Sequence, residues 1–81
     1  MTLKMEPYEL TGGRAWEFTH EGITYRLVSY NGSDKVELFW LDNGQPVIRG
    51  TRQLNGRGSR AVAVAWAEEI TGDRTTPVEQ A

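Results

Sequence analysis

Three stretches of the chain alternate apolar and polar residues: Arg14 to His20, Ile23 to Tyr30 and Lys35 to Asp42. Glu21-Gly22, Asn31-Gly32-Ser33-Asp34 and Asn43-Gly44 follow them in turn. Turn signals about ten residues apart, with β-branched and aromatic runs between, are the cadence of an antiparallel meander. A fourth stretch, Gln45 to Thr51, continues the pattern less cleanly, because Pro46 cannot donate to a ladder and so favours an edge position.

Residues facing each other across a hairpin share a face and have to be chemically compatible. A two-residue Glu21-Gly22 loop sets Phe18 against Tyr25 and Trp16 against Leu27. On the other face it sets Glu17 against Arg26 and Thr19 against Thr24. Both a two-residue and a four-residue loop at Asn31 keep the same parity, so Tyr25, Leu27, Val36, Leu38 and Trp40 join Trp16 and Phe18 on one inner face. Across Asn43-Gly44, Val47 turns inward beside Trp40, but strict alternation turns Arg49 inward as well. A bulge near Gly50, or an early end to the strand, removes the conflict.

From Ser59 the period changes. Val62, Trp66 and Ile70 recur at four-residue steps in an Ala-rich run that Ser59 can cap and Gly72 can end. The pattern predicts a helix over 59–71; the alternative, a strand built on Val62, Val64 and Trp66, is opposed by the alanines. The expected fold is therefore α+β, an antiparallel three- to four-stranded β-meander packed against one C-terminal α-helix, in a single domain spanning 1–81. Within it, 1–12 is an N-terminal segment, 14–51 the meander, 59–71 the helix and 73–81 a flexible tail. Trp16, Trp40 and Trp66 are expected to meet in one core.

Composition narrows the function classes. With 81 residues, 38% of them hydrophobic and 25% charged, the chain suits one globular core and no second domain. It has no cysteine and one histidine, which excludes a disulfide frame, thiol catalysis and a Cys/His zinc site. The start, Met-Thr-Leu-Lys-Met-Glu-Pro-Tyr, has no secretory pattern and no long apolar run follows, so the expected location is cytoplasmic and no membrane partner is expected.

Charge is unevenly placed. The net value is −2, yet residues 49–60 hold four arginines, Arg49, Arg52, Arg57 and Arg60, and no acid. Arg57 and Arg60 flank the positive end of the helix dipole, while Glu68, Glu69 and Asp73 cluster at its negative end, the reverse of what helix stability favours. Such arginines suit an anionic partner, a phosphate backbone or an acidic protein surface, unless acids of the same domain take them.

No catalytic set converges. His20 is the only base for neutral pH, and it ends a strand at a hairpin; a triad with Ser29, Ser33 or Ser59 and Asp34 or Asp42 exists on paper only. Glu68 and Glu69 are adjacent on a helix and so diverge by about 100°. Gly56-Arg57-Gly58-Ser59 lacks the lysine and the preceding strand of a nucleotide loop. The segment Gly56 to Arg60 entering an Ala-rich helix is similar to the end of a double-stranded-RNA-binding domain, but Ala63 and Val64 stand where that family places lysines, and no family is assigned.

The outer face of the meander carries Val28, Phe39, Leu41 and Ile48, with Phe39 opposite Ile48, more apolar than a solvated sheet face should be. The N-terminal Leu3, Met5, Tyr8 and Leu10 are expected to fold over it; the alternative is a partner or homodimer surface. The expected function is that of a small non-enzymatic binding protein, an accessory or inhibitory factor acting on a protein partner. Its candidate contact residues are Arg49, Arg52, Arg57, Arg60, Phe39 and Ile48, with no catalytic residue, cofactor or metal. A nucleic-acid-binding module using the arginines is the alternative, and a small hydrolase a distant third.

Overall fold

The computed structural model describes residues 2–75. Its elements are β1 (Thr2–Leu3), β2 (Glu6–Tyr8), β3 (Gly13–His20), β4 (Ile23–Tyr30), β5 (Lys35–Asp42), β6 (Gln45–Gln53), α1 (Ser59–Thr71) and β7 (Arg74–Thr75). Strands β2 to β6 form one antiparallel sheet in sequence order, while β1 and β7 pair in parallel beside it. The fold is the expected α+β meander with its C-terminal helix, corrected to five strands: β2, hidden in the N-terminal segment, adds an edge along β3. The tail placed from residue 73 begins with the strand Arg74–Thr75, and 76–81 lie outside the described residues.

The first hairpin has the anticipated register: Trp16 pairs with Leu27, Glu17 with Arg26, Phe18 with Tyr25 and Thr19 with Thr24. Its turn is the tight form in which both central residues are left-handed, with φ of 53° at Glu21 and 80° at Gly22. Asn43 and Gly44 repeat it at 53° and 80°. The second hairpin uses the four-residue loop, closed by Ser33 N donating to Tyr30 O at 3.0 Å.

Helix α1 covers the inner face. Val62, Ala63, Trp66 and Ala67 are buried in one cluster with Trp16, Phe18, Leu27, Val36 and Leu38. Leu3 and Met5 belong to the same cluster, so these two residues of the N-terminal segment close the core rather than the outer face. Trp16 and Trp66 are buried; Trp40 is half-buried at the sheet's end. At its start the helix departs from expectation. The cap residue is Gly58, in extended conformation, with no side-chain cap hydrogen bond, and Ser59 is already helical. Gly72 ends it as expected, left-handed, its N–H donating to Glu68 O at 2.8 Å.

Candidate partner interface

The ladder between β5 and β6 shifts register once. Val36 pairs with Arg52 and Leu38 with Gly50, then Phe39 pairs with Ile48 and Trp40 with Val47, which leaves Arg49 as an extra residue on β6. This bulge takes Arg49 out of the ladder, while its guanidinium stays on the inner side over Trp40. The shift turns Gly50 and Arg52 to the helix side with Leu38 and Val36, and keeps Ile48 on the outer face with Phe39.

The arginines consequently occupy different settings. Arg52 lies over the Trp66 ring, 4.5 Å from its centroid, and grips Glu69 with both terminal nitrogens, Nη1 donating to Oε2 at 3.2 Å and Nη2 to Oε1. This bidentate bond, and then the guanidinium charge, hold the Glu69 carboxyl below the usual carboxylate range. Arg49 lies over the Trp40 ring of β5, 4.1 Å from its centroid, and makes no ion pair among the described residues. Arg57 is exposed in the loop to α1, its backbone N–H donating to Leu54 O at 3.0 Å, and Arg60 is half-buried in the first helical turn. No acid occupies that turn.

On the outer face, Arg26 donates from Nε to Glu17 Oε2 at 2.7 Å and lies over the Tyr8 ring at 4.0 Å. Ala15 and Val28 on this side are buried. Leu10 comes within 3.3 Å of where a β-carbon on Gly13 would stand. The N-terminal segment therefore shelters only the β2–β3 end of this face through Tyr8 and Leu10. Toward β6 the face is open: Phe39 and Leu41 are half-buried, Pro46 is exposed and Ile48 is 54% exposed.

His20 has a different neighbourhood. Its Nε2 faces Glu21 Oε2 at 3.6 Å, an acid rather than a serine hydroxyl. It lines an open groove of about 550 Å³ with Leu3, Lys4, Phe18 and the carboxylates of Glu6, Glu17, Glu21 and Asp73. Lys4 pairs with Glu6 at 3.3 Å and Arg26 takes Glu17. Among the described residues no three His, Cys, Asp or Glu side chains are placed to hold a metal ion, and no helix is long and apolar enough to cross a membrane. Sequence reasoning missed this groove because β1 and β2, too short to show a period, and Asp73 after the helix bring Leu3, Glu6 and Asp73 to the β3–β4 hairpin. It also missed Trp40 as the platform of Arg49, a pairing that depends on the bulge.

Comparison with known protein families, with curated proteins and with solved structures finds no match to this chain.

Proposed function

We propose that this chain is a non-enzymatic binding protein, an accessory or inhibitory factor that engages a protein partner through the outer face of its sheet at β5 and β6. The observation that carries this reading is the pair Phe39 and Ile48, directly opposed across the ladder, with Ile48 left 54% exposed. Leu41 and Pro46, also paired, extend the apolar strip by one step toward the turn. A strip of this kind at an edge strand suits the apolar centre of a protein interface, where a few anchors supply most of the affinity.

The arginine segment supports a phosphate-binding reading less well. Arg52 already has its carboxylate in Glu69, and the outer face beside the strip holds Glu6, Glu17 and Glu37. The test uses the wild type and Ile48→Asp as paired baits under matched salt. A partner retained by the wild type and lost with Ile48→Asp is the expected result; equal recovery rejects this face. Binding to random duplex DNA whose affinity falls log-linearly with salt, by a slope of about 0.9 per phosphate contact, would establish the nucleic-acid alternative. A concentration-dependent dimer abolished by Ile48→Asp would reassign the face to self-association.

A further inference from the structure

The edge of this sheet carries the same unit twice, once complete and once open. In the complete copy the Trp66 ring supports the Arg52 guanidinium, and the Glu69 carboxylate closes its fork with two hydrogen bonds. In the open copy the Trp40 ring supports the Arg49 guanidinium at 4.1 Å, and no carboxylate of the described residues reaches it. We propose that Arg49 is the charged anchor of the interface, taking an Asp or Glu carboxylate from an acidic segment of the protein partner as Arg52 takes Glu69. The inference rests on the protein-partner reading above and specifies the partner's chemistry: a carboxylate beside an apolar side chain.

The physical case has three parts. A guanidinium resting over an indole has given up part of its rotamer freedom, so a carboxylate meeting it forfeits less entropy on binding than it would with a freely moving arginine. Position supplies the second. Arg49 is the bulged residue next to Ile48 on the edge strand, its guanidinium over Trp40 on the helix side while Phe39 and Ile48 face outward, so a partner strand laid along this edge meets the fork on one of its faces and the apolar strip on the other. Bulges re-aim side chains in this way beside functional surfaces. Third, the two arginines that stand exposed here, Arg49 and Arg57, make no ion pair among the described residues, whereas Arg52 is taken by Glu69. A second copy of the chain pairing along β6 would offer no carboxylate, since β6 contains no acid.

Titration of the isotope-labelled full chain, followed at the arginine Nε–H and tryptophan indole resonances, tests the assignment. The probes are sodium acetate, the peptide acetyl-Glu-Val-Glu-Leu-Glu-Val-amide and the same peptide with Gln in place of Glu. Acetate and the acidic peptide are expected to move Arg49 and Trp40, while Arg52, already occupied by Glu69, stays unmoved. The Gln peptide should bind more weakly by about tenfold, and Arg49→Lys, which keeps the charge but loses the fork, should weaken the acidic peptide to a similar extent. An Arg49 resonance unmoved by either carboxylate probe, or an Arg49→Lys protein that binds the acidic peptide as well as the wild type, overturns the proposal. So does displacement of the peptide from Arg49 by an oligothymidylate with steep salt dependence, which would make the anchor a phosphate site. The two readings fail separately. Loss of binding in Ile48→Asp with none in Arg49→Lys removes the anchor and leaves the apolar face. The opposite pattern removes the face and leaves the anchor.

Discussion

Gly50 lies directly beneath Trp66: a β-carbon at position 50 would stand 3.3 Å from Cζ2 and 3.4 Å from Cη2 of the indole. The bulge at Arg49 turns this position to the helix side, and the missing side chain lets the helix settle on the sheet with Trp66 buried to 7% exposure. The contact couples the edge strand to the helix, 16 residues further along the chain.

Gly50→Val should therefore destabilise the protein by about 1–3 kcal/mol through overpacking, and Trp66→Ala by about 3–5 kcal/mol through the cavity it leaves. In the double variant the cost of valine should largely vanish, because its obstacle is gone. Urea denaturation of the four proteins in the cycle measures this; strictly additive costs would show that the indole does not limit position 50.

Glu21 sits at φ 53° in the first hairpin turn, a conformation disfavoured for a glutamate and natural for asparagine. Asn43-Gly44 closes the third hairpin at the same angles with the favoured residue. Glu21→Asn is expected to raise stability by about 0.5–1 kcal/mol, read as a higher midpoint in thermal or urea unfolding. A lower midpoint would mean that the Glu21 contact with His20 outweighs the backbone strain.

Gly13 has a different constraint. A β-carbon there would come within 2.6 Å of the Ser29 carbonyl oxygen and 2.9 Å of the Tyr30 Cα, both backbone atoms of the neighbouring strand. Because backbone cannot rotate aside as a side chain can, Gly13→Ala should cost about 1–3 kcal/mol and loosen the open end of β3 and β4. Amide exchange at Arg14 and Tyr30 that speeds up more than exchange at Phe18 and Tyr25 is the expected signature; unchanged stability would refute the close approach.

Arg52 depresses the Glu69 pKa, so the folded value lies below the unfolded one. The sign follows: the pair adds stability above the unfolded carboxylate range, near 4.3 by the usual reference of about that value, and loses it as pH falls through the folded pKa. The side chains are 39% and 64% exposed, so solvent and salt keep the effect small. In a carbon-detected titration Glu69 should show a lower midpoint in the wild type than in Arg52→Gln, and added salt should raise the wild-type midpoint. Equal midpoints in the two proteins would dissolve the link between β6 and the helix.

What the sequence determined by itself is what short-range rules control. Turn residues at Glu21-Gly22 and Asn43-Gly44 and period-two alternation set the first hairpin's register pair by pair and the inner face as far as Trp40. The four-residue period and Gly72 set the helix at Ser59–Thr71, and the opposition of Phe39 to Ile48 was also legible, since the Asn43-Gly44 turn dictates it. Tertiary structure decided what depends on residues far apart in the chain. Pairs as short as β1 with β7, or β2 against β3, are too brief to carry a period, and they form because Leu3 and Met5 find room in a core made by later elements. Whether the bulge falls before or after Arg49 is likewise invisible to alternation; in the fold it brings Gly50 under the Trp66 ring, where a β-carbon would be tight. That one choice sends Arg52 to Glu69 across 17 residues and leaves Arg49 on Trp40 with its fork open.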